Sequence, residues 1–124
     1  MRFMLAFALL SLLLTACDRH DASLHKQLVG TWARGDSGVL TIDLDGSFQS
    51  RWTTVLTNVT KEWLYAGTWN VRDGFLISTV TNSETRNSTN SEAVGSVDRF
   101  RIISIDSSHL VNGIGGVTNY LERR

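Results

Sequence analysis

Few side chains in this 124-residue sequence are typed and spaced for chemistry. His20, His25 and His109 form no HExxH or HxH pair and have no cysteine beside them, so no metal site is expected. Cys17 is the single cysteine, which excludes an intramolecular disulfide framework. Asp43 and Asp45 are near neighbours, but Asp45 precedes Gly46 and is better explained by a turn. The glycines at 113, 115 and 116 lack the lysine and following helix of a phosphate cradle. No nucleophile elbow, P-loop or dinucleotide fingerprint occurs, so the sequence predicts neither an enzyme nor a cofactor. What remains is aromatic. Trp52, Trp63 and Tyr65 are candidate ligand-contact residues at the mouth of a cavity, and the same three also fit ordinary core aromatics. The 12 Lys+Arg against 12 Asp+Glu leave no basic footprint for nucleic acid.

These residues lie on segments with a period of two. Leu40, Ile42 and Leu44 alternate with polar residues up to Asp45-Gly46, a hairpin signal. Phe48, Trp52 and Leu56 share one face of the next strand, and Trp63, Tyr65, Trp69 and Val71 one face of the strand after it. Asp73-Gly74 is a second hairpin signal. Further strands are expected at 75–81, 94–105, 109–112 and 117–122. Residues 79–96 are rich in Ser, Thr and Asn and read as a mobile loop or an exposed hairpin tip. Before the first strand, Ser23 could cap a short helix that puts Leu24 and Leu28 on one face; a flexible tether is the alternative. The expected class is all-β. About eight antiparallel strands form a meander closed into a barrel, since tight hairpins join antiparallel neighbours and closure removes exposed edges. A two-sheet sandwich is the other arrangement.

The N-terminus is a targeting signal. Arg2 is followed by an apolar run over 3–14, too short for a hydrocarbon core of about 30 Å. Leu14-Thr15-Ala16-Cys17 resembles the lipobox of bacterial lipoproteins. That resemblance implies a signal peptide over 1–16, cleavage after Ala16 and acylation of Cys17, with palmitate-type chains anchoring the protein to a membrane of the cell envelope on its periplasmic face. Asp18 resembles the inner-membrane retention signal of enterobacterial lipoproteins; a solvated tether residue is the other reading. Residues 17–29 are then a lipidated tether with a possible short helix, and 30–124 the barrel domain. Loss of 1–16 removes only Arg2 from the charged set, so the mature chain stays near neutral.

Leu28-Val29-Gly30-Thr31-Trp32, Asp45-Gly46-Ser47-Phe48, Gly67-Thr68-Trp69, Asp73-Gly74 and Tyr120 to Arg123 follow one another in an order that resembles small bacterial lipocalin-like domains. The resemblance implies structural roles for Gly30, Trp32, Gly67, Trp69 and Arg123. Trp32 plugs the closed end, and Arg123 packs over its ring, with Arg124 as second candidate. It also implies a non-enzymatic binder of a small apolar molecule or lipid. The alternative is a protein-binding module: an inhibitor, an immunity factor or an accessory subunit of an envelope complex. Counting strands places the Asp45 and Asp73 turns at the tethered end. The connections near Asp36, Asn58, 79–96 and Gly115 fall at the distal end, where binding is expected.

Overall fold

The computed structural model describes residues 19–124. The expectations for the signal peptide, Cys17 and Asp18 fall on residues 1–18 and lie outside the described residues. Residues 19–28 form a helix, α1. Eight strands follow: β1 (Gly30–Arg34), β2 (Gly38–Ile42), β3 (Ser47–Leu56), β4 (Val59–Arg72), β5 (Phe75–Arg86), β6 (Val97–Ile105), β7 (His109–Ile114) and β8 (Val117–Arg123). Each pairs antiparallel with the next, and β8 returns to β1 to close a barrel. The closing seam pairs Trp32 with Arg123 and Ala33 with Glu122. A single closed barrel takes the place of the two-sheet alternative.

The turns follow local chemistry. Asp73 and Gly74 both have positive φ, 53° and 78°, as a two-residue hairpin joining Arg72 to Phe75 requires. Gly115 and Gly116 do the same at 54° and 80° between Ile114 and Val117. At Asp45-Gly46 only Gly46 is positive, at 92°, which differs from the two-residue form expected there. The Gly46 amide donates to the Asp43 carbonyl (3.2 Å) and the Asp43 amide to the Ser47 carbonyl (2.9 Å). This is a three-residue loop with a bulge at the glycine. The Asp45 carboxylate takes the Ser47 hydroxyl and amide at 2.6 and 2.9 Å, which holds that carboxyl below its ordinary pKa.

Residues 79–96 are not one loop. Residues 79–86 complete β5, with Thr79 opposite Thr68, Val80 opposite Gly67 and Arg86 opposite Glu62. A bulge leaves Thr81 without a partner, because Ala66 faces Asn82 while Gly67 faces Val80. The inward face therefore moves from the even residues Leu76, Ser78 and Val80 to the odd residues Ser83 and Thr85. That change of phase, within a polar stretch, hides the strand from period-two reading.

The core lies at the α1 end. Leu28, Trp32, Ile42 and Leu110 are at most 1% exposed, and Phe48, Trp69, Leu76, Val80 and Leu121 complete the cluster. The Trp32 indole N–H donates to the Leu28 carbonyl at 2.9 Å. The Arg123 guanidinium lies 4.2 Å over the Trp32 ring and donates to the carbonyls of Val29, Gln27 and Ser107 at 2.8–2.9 Å. Gly30, at φ 142°, leaves the space this guanidinium fills; a Cβ there would collide with it. Asp21 of α1 accepts from the Asp73 and Gly74 amides at 2.8 and 2.9 Å. His25 is half-buried and stacks on Trp69 at 4.3 Å, because the segment is helical and seals the barrel floor.

Candidate functional site: the barrel interior

Above that floor is a cavity of about 280 Å³. Strand alternation builds its walls: Leu40 and Ile42 from β2, Phe48 and Ser50 from β3, Leu76, Ser78 and Val80 from β5, Phe100 from β6, Asn112 from β7, and Asn119 and Leu121 from β8. Trp69 separates the cavity from His25 of α1. Its indole N–H is committed to the Asp43 carbonyl at 2.8 Å, so only its ring face is left for the interior. Gly67, between Tyr65 and Trp69 on the inward face, makes room for close packing, since a Cβ there would collide with the Thr79 carbonyl and the Phe48 ring.

The interior is apolar with a polar band. Ser50 and Ser78 are each 8% exposed and Asn112 only 3%. Asn119 donates to the Asn112 side-chain carbonyl at 3.0 Å. Ser50 of β3 and Ser78 of β5 bring hydroxyl side chains to the cavity wall.

The rim carries the charge. Trp52 lies across Gly38, its cross-strand partner, where any Cβ would meet the indole. The Arg34 guanidinium sits 5.0 Å from that ring and its Nε donates to the Ser37 hydroxyl at 3.2 Å. Residues 87–96 fold back over the distal end. Trp63 donates to the Asn90 carbonyl at 2.7 Å and Asn87 to the Thr60 carbonyl at 3.0 Å. The Glu92 amide donates to the Tyr65 hydroxyl at 3.3 Å, and the Gly95 amide to the Val80 carbonyl at 2.7 Å. This strap brings Glu92 to the cavity beside Asp98 of β6. A hydrogen bond with the Asp98 carboxyl, then burial, then the charge of Asp98 push the Glu92 pKa up to about 7. A carboxyl beside another carboxyl, and partly desolvated, holds its proton to higher pH. Beneath the strap, the Ser83 hydroxyl is buried and has no partner.

Of the three sequence candidates, Trp52 and Tyr65 line the cavity. Trp63, the cross-strand partner of Trp52, does not; its indole N–H is spent on the Asn90 carbonyl and ties down the strap. Gly30, Trp32 and Arg123 meet at the closed end, and Gly67 and Trp69 in the wall and floor. Sequence reasoning missed Arg34, Glu92 and Asp98. Asp98 had a readable signal, an acidic residue in phase with Phe100 on an inward face. Glu92 had none, since only the fold-back of the strap delivers it. Among the described residues no cluster of His, Cys, Asp and Glu is arranged to hold a metal ion. A scan against protein-family models gives no match, and searches of curated proteins and of solved structures give none either.

Proposed function

We propose that the protein is a lipid-anchored envelope lipoprotein whose lipocalin-like barrel binds a small, largely apolar molecule without chemically changing it. The observation that carries this reading is the cavity of about 280 Å³, walled mostly by aliphatic and aromatic side chains with a few polar and charged groups among them. Small-molecule sites are concave, mostly apolar and furnished with a few polar groups, and run from about 300 Å³ upward, so this one suits a small guest. The order of motifs from Leu28 to Arg123 and the Arg123–Trp32 contact support the lipocalin-like assignment. The lipobox-like residues ending at Cys17 support the anchor. Native mass spectrometry of the full chain from its host's membranes tests the binding role. A small molecule released on denaturation is expected; a bare barrel isolated with a second protein would overturn it. Labelling with fatty acid tests the anchor, which Cys17→Ser should abolish.

A second reading, a protein-binding module, draws on one surface feature. Val55, Leu56 and Val59 are 71%, 50% and 46% exposed at the tip of the β3–β4 hairpin, beyond the rim. Contiguous exposed apolar residues are the usual mark of a contact surface.

A further inference from the structure

We propose that the guest is a small organic cation: an apolar, aromatic-sized body bearing a protonated amine, with the ammonium at the rim between Glu92 and Asp98 and the body below it in the cavity. This rests on the cavity-binding reading above and narrows it. The charged or titratable groups lining the cavity are Arg34 from β1, Tyr65 from β4, Glu92 from the strap and Asp98 from β6. Two of the three charged ones are carboxyls. The third, Arg34, is already turned to the Trp52 face and Ser37. A fatty acid would therefore carry its carboxylate to a rim that already holds two carboxyls, whereas an ammonium can pair with both. Trp52, Tyr65 and Phe100 line the same cavity, and aromatic faces attract cations.

The proton balance is simple. The ammonium enters protonated, the Glu92 proton leaves to solvent, and an ion pair replaces the hydrogen bond of Glu92 with Asp98. Amine affinity should then rise with pH through the Glu92 pKa of about 7, as long as the amine itself stays protonated.

Calorimetric titration of the full chain with phenethylamine, 2-phenylethanol and 3-phenylpropanoate separates the possibilities. The amine should bind about tenfold or more tightly than the alcohol, the usual value of a charge-assisted contact, and the carboxylate weakest. The amine-to-alcohol ratio should grow between about pH 6 and 8. Asp98→Asn should bring the ratio toward one. An alcohol equal to the amine, a tighter carboxylate, or a ratio flat with pH in the unaltered chain would overturn the cation proposal while leaving cavity binding standing. Failure of all three probes to bind would count against cavity binding itself.

Discussion

Arg123 joins the two ends of the barrel chain by hydrogen bonds to the Gln27 and Val29 carbonyls and a cation–π contact with Trp32, and a third hydrogen bond reaches the Ser107 carbonyl of the β6–β7 turn. A guanidinium can do this because it is planar and presents donors on several edges; an ammonium cannot. Arg123→Lys should therefore cost about 1–3 kcal/mol, the range for buried acceptors left unpaired. Trp32→Ala should cost about 3–5 kcal/mol, a large part of the roughly 5–15 kcal/mol that holds a domain folded. Urea midpoints read both, and an unchanged midpoint for Trp32→Ala would show that its ring is not a core plug. Gly67→Ala places a methyl against the Thr79 carbonyl and the Phe48 ring at the bulge. It should destabilise by about 1–3 kcal/mol, as overpacking does.

At the scale of elements, the strap over 87–96 is held by polar bonds rather than by apolar burial, so its opening should be cheaper than unfolding. The Glu92 carboxyl has a raised pKa in the folded protein, so its contribution is fully present below the ordinary carboxylate pKa of 4.5 and is lost as pH rises through about 7. Hydrogen exchange of the 87–96 amides, corrected for intrinsic rates, should lose protection between about pH 6 and 8. Glu92→Gln should make that protection independent of pH, and an unaltered pH response would remove Glu92 from the strap's closure. Shortening residues 88–91 should leave the barrel folded, because closure entropy changes slowly with loop length. Cutting into 79–86 should not, since those residues are half of the β4–β5 ladder.

The elements visible in the sequence were those with unbroken alternation and a turn at each end, as in 38–42, 47–56 and 59–72. The tail of β5 was hidden because the Thr81 bulge resets its phase and its residues are polar on both faces. The closed end was legible because its parts, Gly30, Trp32 and Arg123, have types that serve one packing purpose. The rim was not. Glu92 and Asp98 are six positions apart on different elements, and their meeting depends on a strap whose bonds run mostly through backbone carbonyls. Backbone acceptors carry no sequence signature.

For the whole molecule, α1 and the turns at 43–47, 73–74 and 106–108 gather at one end, tied by Asp21, Trp69 and Arg123. The strap, Arg34 and the β3–β4 tip lie at the other. The cavity mouth is thus at the end opposite α1, where loops on a rigid scaffold commonly bind. The tryptophans report on this division: Trp69 and Trp52 border the cavity, Trp32 plugs the floor and Trp63 ties the strap. The indole N–H signals in a ¹⁵N spectrum of the protein, followed during titration with phenethylamine, test interior binding most directly. Trp52 and Trp69 should shift together and saturate with one affinity, while Trp32 stays in place. Shifts confined to Trp63, or none at Trp52 and Trp69, would contradict a guest inside the barrel.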